Sequence, residues 1–344
     1  MNPIRKVTQS IRDLKERHNA RHRPSGFGFA FADHVNYLNS EYWDSIASQS
    51  SLFLQRNVLS TLEQHAPENI DLKYAMVFRD DLPVAIVAAQ LVHITGEQIH
   101  AKRVTDEPSP KLLKRMLAPA ADALKARVQQ RLLVAGNLLS WGFHGVAFAP
   151  NVDPAPLWPG IADALYRIRR AERLSGQPNF IMVKDVTEAQ GNLDELKRFS
   201  YRPFETEPNM VLAIDPAWKT YDDYLAALDG KYRWNAKDQV KKLTAAGCTI
   251  ERLHDLTPHA KRLHELYLSV QSNASVRLVT LPESFLPALA QSLGDQFRCS
   301  IVRRGDEILG FSTSLRDGPT AIAYYIGFDR SAASQGLPIY LQLL

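Results

Sequence analysis

Apolar positions along this chain alternate between stretches of helical period and stretches of period two. From the capping signal Asn39-Ser40 to the break at Pro67-Glu68-Asn69, the spacing predicts helix over 40–66. Period two then takes over. Leu72–Phe78, a turn at Asp80-Asp81 and Val84–Ile94 predict a strand pair, and a second turn at Thr95-Gly96 leads to a short strand ending near Val104. Leu112, Leu113, Leu117 and Leu124 share one side of a predicted helix over Pro110–Gln130. Strands follow at Arg131–Ala135, Val146–Phe148 and Phe180–Val183, with Met210–Ile214 as a closing strand. Between them lie the glycine-dotted stretch Gly136–Gly145, a proline-rich loop Pro150–Pro159, and helices at Gly160–Leu174 and Leu193–Phe199.

Asp215-Pro216 marks a boundary. Beyond it the pattern predicts two helices over Tyr221–Ala246 interrupted near Gly230, helices at 258–272 and 282–293, and a meander of Cys299–Arg303, Leu309–Leu315 and Thr320–Phe328. That meander echoes the earlier one: Arg79-Asp-Asp-Leu-Pro-Val-Ala85 and Arg304-Gly-Asp-Glu-Ile-Leu-Gly310 share a turn-then-strand character 225 residues apart, each preceded by helices.

Composition narrows the class. With 45% apolar and 23% charged residues the chain can build real cores, and no run of eighteen apolar residues marks a transmembrane span. Cys248 and Cys299 make neither a disulfide scaffold nor a four-ligand zinc site, which fits a reducing, cytoplasmic setting. Charge is concentrated. Residues 1–23 carry +5, with Ile4, Val7, Ile11 and Leu14 at helical spacing, and residues 231–242 carry +4, so the remainder sums to −5. Two basic patches on an acidic body attract phosphates, acidic ligands or nucleic acid. No HExxH, paired CxxC, Ser-His-Asp order or GxxxxGK[ST] is present.

The element order, helices, meander, then a loop opening a helix, resembles the GNAT acyltransferase fold. Two such units joined by a basic helical segment resemble the GNAT-like proteins related to Fem-type peptidyltransferases. The residues that carry the likeness are Lys231-Tyr232-Arg233-Trp234-Asn235 followed by Lys241-Lys242 and Gly247; Tyr325-Ile-Gly-Phe-Asp329, then Ser334-Gln335-Gly336; and, less closely, Phe53-Leu54, where Leu52 replaces a proline. The resemblance implies an α/β (α+β) chain of mixed sheets: a basic segment 1–34, a first unit 35–215, a connector 216–247 and a second unit 248–344, incomplete at Leu344. It departs from the family in having a single glycine, Gly336, in the run from Arg330 through Gly336, and in an added stretch near 98–130.

The implied activity is N-acyl transfer from an acyl-CoA thioester to an amine, with no metal. The alternatives are an aminoacyl-tRNA-dependent Fem-like transferase and a GNAT-fold binding module without catalysis. Such transfer needs a base for the amine proton and an acid for the leaving thiolate. Tyr324 and Tyr325, which strand alternation sends to opposite faces, and His144 in the glycine-rich stretch are the candidates, with Tyr340 more naturally a packing residue. Free amides at a helix start suit a pyrophosphate, which places Ser334, Gln335 and Gly336 with Arg330 at the donor's phosphates. The competing place is the Asn151–Pro159 loop, whose prolines lack N–H donors. Lys231 and Arg233 can meet a phosphorylated substrate or RNA, or else form a solvated face with Tyr232 and Trp234 turned inward.

Overall fold

A computed structural model of the chain describes Arg12 and residues 25–95, 129–191, 193–205, 209–272 and 277–339. These residues divide into two compact units, one mostly of 25–63, 68–95 and 129–205, the other mostly of 209–339. The class is mixed α/β, with one sheet in each unit.

The first sheet is built from β1 (Gly28–Ala32), β2 (Ile70–Arg79), β3 (Leu82–Thr95), β4 (Gln129–Ala135), β5 (Val146–Phe148) and β6 (Phe180–Val183). Its order is β1-β2-β3-β4-β6, antiparallel except for the parallel pair β4–β6, with β5 also on β3. Strand alternation gives this sheet two apolar faces. Ala75, Val77, Val87 and Leu133 pack under α3 (Trp158–Ala171), whose Ile161, Leu165 and Ile168 recur at helical spacing. On Tyr74 lies Trp43 of α1 (Ser40–Ala47), edge to face at 5.8 Å. Gly160 lets α3 approach, since a Cβ there would meet the Phe27 ring at 2.9 Å.

The helix predicted over 40–66 is two helices, α1 and α2 (Arg56–His65). Ser48, Ser50 and Ser51 fall between them, and serine hydroxyls compete with the helix for backbone groups. Ser51 does so visibly, accepting from Phe53 N and starting a short turn over Leu52–Leu54. Gln129 and Gln130 belong to β4 and not to a helix; the rest of that predicted helix, the strand ending near Val104 and the apolar stripe of the N-terminal segment lie outside the described residues. Met210–Ile214 is not a strand. No described strand takes up its N–H and C=O groups, and Met210 is 97% and Val211 86% exposed.

The second sheet runs β10-β9-β8-β7, all antiparallel, from β7 (Cys248–Leu253), β8 (Phe297–Arg304), β9 (Glu307–Asp317) and β10 (Thr320–Phe328). Ahead of β7 come α5 (Tyr221–Ala227) and α6 (Gly230–Ala245), with α4 (Asp194–Arg198) closing the first unit. Between β7 and β8 lie α7 (Ala260–Gln271) and α8 (Phe285–Leu293), and α9 (Arg330–Ser334) follows β10. Strand, two helices, three-strand meander, helix: both units repeat this order.

The repeat extends to single residues. Arg79 pairs with Leu82 across Asp80-Asp81, and Arg304 pairs with Glu307 across Gly305-Asp306. Val84 is the extra residue where Val77–Ala85 gives way to Phe78–Pro83, and Leu309 is the extra residue where Val302–Gly310 gives way to Arg303–Ile308.

Candidate active site

The repeat has one further shared feature. In the second sheet Ser314 pairs with Ala323 and Ser312 with Ile326, so Tyr324 and Tyr325 together stand opposite Thr313. In the first sheet Ala89 pairs with Ala135 and Val87 with Val146, so residues 136–145 leave the sheet opposite Ala88. Ala88 still holds both ends of the excursion, donating to Gly145 O at 2.8 Å and accepting from Gly136 N at 3.3 Å. β4 and β5 are thus one strand, broken at the position where β10 bulges.

Strict alternation of Tyr324 and Tyr325 fails at this bulge. Both are half-buried and their rings meet edge to face at 4.5 Å, because two residues oppose one. Thr313 replaces the missing ladder with its side chain: Oγ1 accepts from Tyr325 N at 2.8 Å and donates to Tyr325 O at 3.0 Å. Tyr267 of α7 packs edge to face on Tyr325 at 5.6 Å, and His264 stacks on Tyr267 at 6.0 Å. Gly327 makes that contact close, since a Cβ there would lie 2.5 Å from the Phe311 ring and 2.6 Å from the α7 backbone at Leu266 and Tyr267. Burial raises both phenols of the bulge well above the ordinary tyrosine value, and the neighbouring tyrosines add to it. A phenol held protonated in this way can give a proton but is no base at neutral pH.

α9 begins five residues beyond Tyr325, directly after Asp329, and its start is occupied by its own cap. Asp329 Oδ1 accepts from Ser331 N at 2.8 Å, Ser331 Oγ at 2.6 Å and Ala332 N at 3.2 Å, while Oδ2 accepts from Arg262 at 3.2 Å. The bond from Ser331, then those from Ala332 and Arg262, hold this carboxyl below its ordinary range against the opposing effect of burial. Gln335 and Gly336 close α9 and do not open a helix: their amides donate to Ser331 and Ala332 O and to Ala333 O. Ser334 Oγ donates to Ser331 O, and Arg330 donates through Nε to Ser269 O at 2.7 Å, at the end of α7. A donor pyrophosphate would find these amides taken and a carboxylate already at the turn.

In the first unit His144 is brought to Ser51, 2.6 Å from Nδ1, with Nε2 2.6 Å from Trp141 O and the Phe53 ring 4.5 Å away. The excursion that carries it is braced from inside. Buried Gln90 donates to Asn137 Oδ1 and accepts from Leu138 N, Asp185 accepts from Gly142 N, and Lys184 donates to Ser140 O and pairs with Asp185. In the Asn151–Pro159 loop, Asp153 caps the following turn at Ala155 N.

On α6, Tyr232 and Trp234 are not turned inward: they are 60% and 68% exposed. Lys231 is exposed beside them, while Arg233 is half-buried and donates to Leu228 O at 2.8 Å, at the end of α5. Among the described residues no group of three His, Cys, Asp or Glu side chains is placed to hold a metal ion, and no helix is long and apolar enough to cross a membrane.

Sequence reasoning did not name Ser51, Thr313 or Tyr267, and it named Asp329 only as the end of a motif, with no role. Asp329 was legible in principle as an N-cap before Arg330-Ser331. Ser51 was not, since 93 residues separate it from His144.

Residues 230–343 match the family model of the acetyltransferase (GNAT) domain. The matched segment spans α6, the whole second sheet and α9, so the tyrosine bulge lies within it. A solved structure titled "Crystal structure of FemX" aligns over 91% of this chain and 84% of that one, at 11% identity and a TM-score of 0.47. No curated protein matches the chain.

Proposed function

We propose that the protein transfers an acyl group from an activated donor to an amine, with the chemistry at the Tyr324–Tyr325 bulge. The observation that supports this reading best is the bulge opposite Thr313 inside the GNAT-type segment. There, a break in the ladder brings two protonated phenols beside one another. Tyr325, with Tyr324 beside it, is the acid that protonates the leaving group. The attacking amine binds as free base or loses its proton to solvent.

Two donors suit such a transfer. An acyl-CoA thioester agrees with the name of the domain, and Arg330, Ser334, Gln335 and Gly336 are then the residues nearest its phosphates. To accept them, Asp329 must release Ser331 and Ala332 N. That requirement favours the second donor, an aminoacyl ester of tRNA, whose phosphates would lie elsewhere. The exposed Lys231 with Tyr232 and Trp234, and Arg233 behind them, then form the contact with RNA.

Calorimetric titration with acetyl-CoA, and separately with aminoacyl-tRNA across a salt series, tests the donor. Saturable acetyl-CoA binding with amide formation on a diamine supports the first, and tRNA binding with a steep salt slope supports the second. Binding of neither, with no amide detected by mass spectrometry, refutes the transfer reading and leaves a binding module.

A further inference from the structure

The excursion 136–145 is costly to build. Gly136 and Gly142 have φ of +153° and +111°, and a Cβ on Gly145 would lie 2.0 Å from Gly136 N. Polar side chains are drawn into the interior to brace it, Gln90 and Asn137 among them at 2% and 4% exposed. What this scaffold delivers is one side chain, His144, to one hydroxyl, Ser51.

The hydrogen bonds fix the roles of the ring nitrogens. Trp141 O can only accept, so Nε2 carries the hydrogen at 2.6 Å. In the neutral ring Nδ1 is then a lone pair, and it faces Ser51 Oγ at 2.6 Å. Phe53 N donates to the same oxygen at 3.2 Å and fixes its position, and the Phe53 ring lies against the imidazole at 4.5 Å. A hydroxyl, a base in reach of its proton and a third group orienting the base make up the constellation that activates a serine, with a main-chain carbonyl in the orienting place. A serine that only capped the Leu52–Leu54 turn would need Phe53 N and no histidine.

We propose that Ser51, activated by His144, is an acyl-accepting nucleophile in the first unit, a second site of acyl chemistry independent of the tyrosine bulge. Its substrate class is an activated acyl ester or thioester. Ser51 Oγ attacks the carbonyl carbon, an Oγ–C bond forms and the bond to the leaving oxygen or sulfur breaks. The Ser51 proton passes to His144 Nδ1 and from there to the departing alkoxide, phenolate or thiolate, while Trp141 O holds the imidazolium through Nε2. Water or an amine then takes the acyl group by the same steps in reverse, returning the proton to Ser51.

The full-length chain treated with p-nitrophenyl acetate, quenched in acid and mapped by mass spectrometry, tests this. The expected result is one acetyl group on the peptide containing Ser51, released with p-nitrophenol. His144→Gln should slow that labelling about 100-fold or more, the usual contribution of a positioned base. Ser51→Ala should abolish it, and Ser51→Cys should keep an adduct at the same position. Acetylation confined to lysines, or Ser51 labelling whose rate is the same in His144→Gln, overturns the proposal. The wild-type adduct decides the question even where a variant fails to fold.

Discussion

Thr313 grips Tyr325 twice, accepting from its N–H and donating to its C=O, and so completes with a side chain a ladder that the main chain has left. Its counterpart in the first unit, Ala88, has no such side chain, and its own N–H and C=O instead clamp the two ends of a ten-residue excursion, 136–145. One position in a repeated sheet is therefore solved in two ways, by a compact bulge and by a loop.

Thr313→Val keeps the shape and removes both bonds. Thr313 is 3% exposed, so the freed groups on Tyr325 lose partners in a buried place. The expected loss is about 1–3 kcal/mol in urea unfolding, with m unchanged. A loss below about 0.5 kcal/mol would show that the bulge does not depend on this side chain.

Gly327→Ala attacks the same site from behind. Its Cβ would sit 2.5–2.6 Å from Phe311 and the α7 backbone, so α7 must move away and take Tyr267 from Tyr325. We expect a cost of about 1–3 kcal/mol, as for other overpacked cores, and a weakened near-ultraviolet circular dichroism signal from the tyrosines. Unaltered melting and unaltered spectra would mean the helix does not pack as closely as this.

Gly142→Ala tests the loop. At φ +111° any side chain is strained, and this Cβ would lie 2.5 Å from His144 Nε2. The Trp141 O bond should be lost, and with it the fixed tautomer, read as an averaged ¹⁵N shift of the imidazole nitrogens. A ring that keeps the wild-type pattern would contradict the contact.

Asp329→Asn separates the roles of the cap by pH. The native carboxyl titrates below its ordinary value of 3.8, so its contribution is present above that value and fades as pH falls through the lowered one. The wild type should therefore melt higher than the variant at pH 7, by an amount corresponding to about 1 kcal/mol, and the gap should close in strong acid. If a phosphate-bearing donor binds at this turn, the variant should also bind acetyl-CoA more tightly than the wild type. A gap that is constant from pH 7 to pH 2 would exclude the charged cap.

Much of the fold could be read from the chain because it depends on neighbours in sequence. Period two with Asp80-Asp81 or Gly305-Asp306 at the turn specifies a hairpin locally, and the echo between Arg79–Ala85 and Arg304–Gly310 became the same register and the same extra residue in both sheets. The breaks between α5 and α6 and the strands 146–148 and 180–183 were equally local. Met210–Ile214 was misread because its apolar run says only that it favours extended backbone. Whether a strand forms depends on a partner for its N–H and C=O groups, and that is decided elsewhere in the chain.

The site lay beyond the reach of sequence for the same reason. Tyr324 and Tyr325 could be named from their motif, but alternation assigned them opposite faces, and the bulge that brings their rings together is held by Thr313 from the neighbouring strand. His144 could be named as a histidine among glycines, yet what it touches is Ser51, 93 residues earlier. Sequence determined the elements, their order and their repetition, because propensity, capping and turn chemistry act over a few residues. Tertiary structure alone decided which hydroxyl meets which base and which amides remain free, because those contacts join residues far apart in the chain and exist only once the two sheets have closed around their cores.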